Sequence, residues 1–357
     1  MKRVLFKFLL FVGLVAGLSA CERYVAPDNT VRRTVLVYME ARNSLSGNSQ
    51  DDIVEMRLAD IPKDCRVLVY HSAYGSAPKL IEVVNGREVV LKQYPEGTSA
   101  VDSEQMRSVI VTAQTIAPAL EYGLILWSHS SGWMQSPVKA RGFGLENSRE
   151  QMSVSDLADA LEGCELDFIV FDTCYMGCVE VAYELRRSAR YMVASVCEVP
   201  EDGMPYDLTL RELLDKNMVG GLKRAIDITV ESYVGEGGCP STLSLTDLTK
   251  MDSLAEAVVA ASGELPETFE PQVFSISTPY KRLFYDFGQW FQAIGGDKLA
   301  MDDAILYERH TASVWGQVAL THCSGLSIYL PEFSQGYDYD SYGHSTLEWY
   351  NFIHSQY

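Results

Sequence analysis

The chain has 357 residues, 47% of them hydrophobic, and a formal charge of −19. Such length and apolar content supply a large core and exclude intrinsic disorder. The acidic balance repels nucleic acid, which is excluded as a partner, and attracts basic polypeptides.

At the amino terminus, Lys2, Arg3 and Lys7 accompany an apolar segment from Phe8 to Leu18. That segment is shorter than a membrane-spanning helix requires, so residues 1–20 read as an export signal. Leu18-Ser19-Ala20-Cys21 resembles the bacterial lipobox, in which the signal is removed and the exposed cysteine is acylated. The expected product is exported and lipid-anchored to the bacterial cell envelope through Cys21, with residues 21–32 as the anchor and a polar tether. Loss of three basic residues and no acidic one takes its charge to about −22.

The tether leads into a strand from Arg33 to Met39, a loop from Glu40 to Ser49 and a helix around Gln50 to Asp60. Cys65 to His71 is a second strand. Lys79 to Val84 and Glu88 to Lys92 form a hairpin flanking the main sheet, because Asn85-Gly86 supplies positive φ at the turn. Ser103 to Leu120 has helical periodicity that Pro118 ends or bends. Tyr122 to Trp127 is an apolar strand running straight into the polar turn Ser128-His129-Ser130-Ser131-Gly132.

Met134 to Asn147 is polar and glycine-rich and reads as a surface loop, followed by a serine-capped helix from Ser153 to Leu161. Phe168 to Phe171 is too uniformly apolar for a solvated strand, and Asp172-Thr173 breaks it just before Cys174. A helix from Val179 to Arg190, a strand from Tyr191 to Val196 and an acidic loop from Glu198 to Gly203 follow. Asp207 to Val234, Thr246 to Ser262, Tyr280 to Ile294 and Lys298 to Tyr307 all read as helical. Gly325 to Pro331 reads as a late strand returning to the sheet.

Alternating strands and helices predict an α/β sheet, mostly parallel and covered on both faces. With the strands before His129 and Cys174 as parallel neighbours, both side chains emerge at the carboxyl edge, where open α/β sheets hold their sites. A thiol beside an imidazole is a nucleophile with its base. Cys65, Cys164, Cys178, Cys197, Cys239 and Cys323 are scattered and read mostly as small buried hydrophobes. The six histidines are dispersed without ligand spacing, so neither metal nor cofactor is expected, and His71, His310, His322, His344 and His354 read as structural.

LWSHSSGW paired with FDTCYMGCVE resembles the clostripain family of cysteine peptidases, relatives of caspases, gingipains and legumains, over residues 33 to 331. The resemblance implies a caspase-like three-layer α/β/α sandwich over residues 33–357, with a helical elaboration at about 207–320. It also implies a cysteine endopeptidase with a His129–Cys174 dyad and no third catalytic member. The oxyanion donors would be the backbone N–H groups of Ser130 and Cys174. Family members usually have glycine after the histidine, and Ser130 departs from that.

In the family, an acid two residues before the cysteine and another in the loop after the next strand go with cleavage after arginine or lysine. Here these are Asp172 and Asp202, with Glu201 and Glu198 beside the latter, and the implied partners are polypeptides with a basic P1 residue. Family members also cut themselves between histidine and cysteine, and the 135–147 loop offers bonds after Lys139 and Arg141. A rival reading makes Ser130 the mark of a degenerate member that only binds at the cell surface, and another makes the acyl-enzyme serve transpeptidation.

Overall fold

Strands apolar on both sides need cover on both faces, and in the computed structural model the apolar runs lie inside a nine-stranded sheet. The structure describes residues 29–84, 86–134, 142–147, 149–235, 237–275, 283–333 and 343–355. Cys21, Lys139 and Arg141 fall outside the described residues.

The strands are β1 (Val31–Ala41), β2 (Cys65–Ala73), β3 (Lys79–Val84), β4 (Arg87–Gln93), β5 (Ala119–Trp127), β6 (Phe143–Glu146), β7 (Glu150–Met152), β8 (Leu166–Asp172), β9 (Ala189–Ser195), β10 (Thr242–Asp247), β11 (Tyr285–Asp286), β12 (Ile305–His310), β13 (Ser313–Val314), β14 (Val318–Ala319) and β15 (Ser327–Ile328). The helices are α1 (Asn48–Leu58), α2 (Ser103–Ile116), α3 (Val154–Leu161), α4 (Val179–Glu184), α5 (Tyr206–Leu213), α6 (Met218–Ser232), α7 (Met251–Ala260), α8 (Phe287–Ala293), α9 (Lys298–Ala304) and α10 (Glu348–His354).

The sheet order is β12-β10-β9-β8-β5-β1-β2-β3-β4. Strands β9, β8, β5, β1 and β2 are mutually parallel, and antiparallel pairs extend the sheet at each side. Alternate residues divide between two cores. Leu36, Leu126 and Phe171 pack under α2, α3, α4 and α7, whereas Val37, Ile125 and Val170 pack under α1, α5 and α6. Each such side chain, fully buried, contributes about 1.5–3 kcal/mol. The result is a caspase-like α/β/α sandwich whose central strands end at one carboxyl edge.

Several expectations are corrected. Thr246 and Asp247 close the strand Thr242–Asp247 rather than open a helix, and Ile305 to Tyr307, expected as the end of a helix, open the strand Ile305–His310; β10 and β12 pair antiparallel and join the sheet beside β9. The carboxyl-terminal elaboration is therefore not purely helical. The late strand does not return to the main sheet: Ser327–Ile328 pairs with Tyr285–Asp286 and bridges to Cys178. The hairpin β3–β4 extends the sheet through β2 instead of flanking it. Phe143–Glu146, expected in a surface loop, pairs with Glu150–Met152 and buries Phe143.

Candidate active site

Strands β5 and β8 are parallel and in register, with Trp127 opposite Asp172. His129 and Cys174 each lie two residues past that pair, so equal chain lengths carry both over the same edge. They line one cavity of about 760 Å³, together with Ser44, Asp172, Glu198, Asp202 and Trp315.

The turn bearing His129 is held from beneath by Glu40, buried at the end of β1. Its carboxylate accepts from Ser128 Oγ at 2.7 Å, Asn43 Nδ2 at 2.8 Å, and the N–H groups of Arg42 and Leu145 at 2.9 Å each. Burial pushes this carboxyl up, and the bonds from Leu145, Ser128 and Arg42 oppose that rise. Asn43 Oδ1 in turn caps the next turn by accepting from Leu45 N at 2.9 Å. That turn presents Ser44, whose Oγ lies 2.9 Å from His129 Nε2. Burial keeps the imidazole below its ordinary range, so it is neutral at neutral pH.

Cys174 is half-buried and its Sγ faces the backbone of Val199, 3.4 Å from the N–H and 3.8 Å from the carbonyl oxygen. Burial pushes the thiol up to about 11, Glu198 and Asp172 add to this, and the Val199 N–H opposes it. A helix start does not lower it. Helix α4 begins only at Val179, and Tyr175 intervenes at a left-handed φ of 60°. The resting thiol is thus neutral.

Ser130 donates its Oγ to the Cys174 carbonyl, which ties the two catalytic-edge turns together. Its bridge to Phe143 uses the N–H groups of Ser131 and Gly144, so the Ser130 N–H stays out of that pairing. On the other turn, the N–H groups of Tyr175 and Gly177 are taken up by Cys197 and Ser195.

Asp172 is buried, with Oδ2 accepting from Tyr206 OH at 2.7 Å and Met204 N at 3.1 Å. Its Oδ1 has no hydrogen-bond partner, and burial raises its pKa. Gly203 packs directly against it: a Cβ there, at φ +58°, would sit 2.7 Å from Oδ2. Asp202 and Glu201 stand exposed at the cavity wall. Glu198 is turned elsewhere, accepting from Tyr175 OH at 3.0 Å and from Trp315 Nε1.

Sequence reasoning missed the acids behind Asp172. Asp52 accepts from Trp127 Nε1 at 2.6 Å and is pushed up to about 9 by burial and then by Asp172. Glu55 accepts from Tyr206 N at 3.0 Å. Their i, i+3 spacing on one helix was the available signal, but only the fold brings that face under the site. Ser44 and Trp315 had no signal of their own. Among the described residues no group of side chains could hold a metal ion, and the seven cysteines are unpaired. No helix among them is long and apolar enough to cross a membrane.

The arrangement offers a thiol, an imidazole and a buried carboxylate oxygen in one cavity, equipment suited to acyl transfer at a charged side chain. A model of the clostripain family (peptidase family C11) matches residues 37–289. Among solved structures, the chain is similar to an inactive zymogen C11 protease from Parabacteroides distasonis, with 27% identity and a TM-score of 0.78, covering 92% of this chain and 99% of that one. A secreted C11 cysteine protease from Bacteroides thetaiotaomicron, in complex with an irreversible peptide inhibitor, gives 26% identity and 0.77 over 90% and 99%. Iotapain from the same organism gives 22% and 0.77 over 91% and 99%, a likeness of fold alone. No curated protein matches. With a family model spanning the strands that carry both His129 and Cys174, the chain belongs to the clostripain family of cysteine peptidases.

Proposed function

We propose that this family member is an endopeptidase cleaving after arginine or lysine, with Cys174 as nucleophile and His129 as its proton partner. The observation that carries the specificity is Asp172: a buried carboxylate at the cavity wall, two residues before the thiol, with one oxygen unpartnered. Among the described residues no lysine or arginine lines that cavity. A guanidinium or ammonium at P1 supplies the missing donor and a compensating charge, and Asp202 at the rim adds a second anion.

The same cation readies the nucleophile. Negative neighbours and burial hold the thiol neutral, so a positive charge beside Asp172 lowers its pKa and lets the neutral His129 accept its proton. Sulfur then attacks the P1 carbonyl, and the oxyanion draws on the N–H groups of Ser130 and Cys174. His129 returns its proton to the departing amine, leaving an acyl-enzyme that water hydrolyses. A peptide-inhibited relative supports a cavity of this kind accepting peptide, and a zymogen relative supports self-processing, here after Lys139 or Arg141. We extend the reading to an exported protein anchored through acylated Cys21.

The test is hydrolysis of arginyl, lysyl and neutral P1 reporters by the purified chain and its Cys174→Ala variant. Arginyl and lysyl cleavage that vanishes in the variant is the expected result. Preference for a neutral P1, or activity surviving the substitution, overturns it.

A further inference from the structure

Trp315 is an unusual surface residue. Its side chain is 41% exposed, it sits at a left-handed φ of 50°, and it lines the same cavity as Cys174. A non-glycine residue in that conformation costs about 1 kcal/mol or more, and an exposed indole gains little from burial. The fold nonetheless fixes it. The hairpin β13–β14 that carries it is rooted in the core by Val314 and Leu320, and Gln317 N bonds Val314 O at 2.9 Å across the turn. Gly238 lies so close beneath the turn that a Cβ would stand 2.5 Å from Gly316 N. The indole N–H is bonded to Glu198, which also holds the hydroxyl of Tyr175, the residue after the nucleophile. One polar edge is therefore clamped while much of the apolar face stays open.

The strand order states which part of a substrate meets that face. Across the carboxyl edge, β5, β8 and β9 are consecutive, and they lead to His129, Cys174 and Glu198 respectively. His129 must protonate the leaving amine, so the primed side of the substrate runs over the β5 flank. The acyl half runs the other way, toward β9. Its P1 side chain enters the Asp172 wall, and the next residue reaches Glu198, Val199, Pro200 and Trp315.

Resting on the function proposed above, we infer that Trp315 is a specificity-determining residue, the apolar platform of a P2 subsite that selects peptides with a leucine-like or aromatic side chain before the basic residue. A planar indole with its polar edge already bonded offers area and no unmet donor, which favours apolar over charged or glycine P2 residues.

The experiment compares acyl-Leu-Arg and acyl-Gly-Arg coumarin amides on the full chain. Wild type should favour the leucyl substrate in kcat/KM by about tenfold, the worth of one apolar side chain on a hydrophobic surface. Trp315→Ala should lower leucyl-arginyl turnover by about tenfold and glycyl-arginyl turnover by less than about twofold, erasing the preference. Trp315→Phe, which keeps a ring but lacks the N–H to Glu198, should retain the preference even if its melting temperature falls. Equal losses on both substrates, or a preference untouched by Trp315→Ala, overturn the subsite. If wild type cleaves neither substrate, the proposed activity falls, and the subsite is read by calorimetry of peptides containing Leu-Arg and Gly-Arg with the Cys174→Ala chain. Tighter binding of the leucyl peptide that is lost on adding Trp315→Ala supports it; equal affinities overturn it.

Discussion

Ser44 Oγ lies 2.9 Å from Nε2 of His129, so one ring nitrogen of the proposed base is engaged by a hydroxyl. Among the described residues no carboxylate bonds this imidazole. The hydroxyl is itself placed by Asn43, whose amide reaches Glu40 at the end of β1. The orienting element runs from the exposed Ser44 through buried Asn43 to the buried Glu40 in the sheet.

Removing that hydroxyl leaves the fold intact but frees the ring. Ser44→Ala should lower kcat on an arginyl reporter about 3- to 10-fold, the worth of one net hydrogen bond, with KM and melting temperature unchanged. Ser44→Thr keeps the oxygen and should restore most of the rate. A parallel rise in KM would assign Ser44 to substrate binding instead.

The resting thiol gives a second, pH-based prediction. With its pKa pushed up to about 11, the free chain holds only about one thiolate in 10,000 at pH 7. Iodoacetamide labelling of the Cys174 peptide, followed by mass spectrometry, should climb about tenfold per pH unit between pH 7 and 10. An ordinary exposed thiol would level off near 8.5. A small guanidinium ligand such as butylguanidine, seated beside Asp172, should move the curve to lower pH. No displacement by that ligand would remove the proposed cooperation between P1 charge and nucleophile.

Asp52 makes the fold itself pH-sensitive. Its pKa is raised to about 9 in the fold, above the ordinary carboxylate value, so the folded state binds more protons than the unfolded chain between about pH 4 and 9. This group's stabilising contribution is full at acid pH and is lost as pH rises through that window, by up to about 1.4 kcal/mol per pH unit. Asp52→Asn keeps an acceptor for Trp127 Nε1 without the charge. It should flatten the alkaline decline in denaturant midpoints and raise stability at pH 8; an unchanged slope would show that Asp52 is ionised and paired there.

The parts of this site that were legible in the sequence share a cause. The stretches Leu124 to Trp127 of β5 and Phe168 to Phe171 of β8 are uniformly apolar because they are central, and a strand buried on both faces announces both itself and the residues that follow it. Strand β10 interleaves Thr242, Ser244 and Thr246 with leucines, and β12 at the sheet edge carries Glu308, Arg309 and His310. Both adjoin helices whose periodicity runs on into them, so neither pattern stood out as a strand. Ser44 and Trp315 reach the cavity, and Asp52 reaches Trp127, only because β1 lies beside β5 and a late hairpin brings Trp315 to Glu198. No spacing along the chain encodes either adjacency.

Ser130 separates side chain from backbone at the proposed oxyanion site. The clostripain resemblance puts glycine there, and the serine hydroxyl is occupied with the Cys174 carbonyl. If the contribution to turnover comes from the main-chain N–H, Ser130→Ala and Ser130→Gly both retain it. Each should change arginyl kcat/KM by less than about fivefold, while the lost hydrogen bond lowers stability by roughly 1 kcal/mol, slightly more for glycine because of its unfolded-state freedom. A displaced oxyanion donor costs far more, about 100- to 1,000-fold. A drop of that size in Ser130→Ala, with the melting temperature near that of wild type, would move the catalytic contribution from the backbone to the hydroxyl.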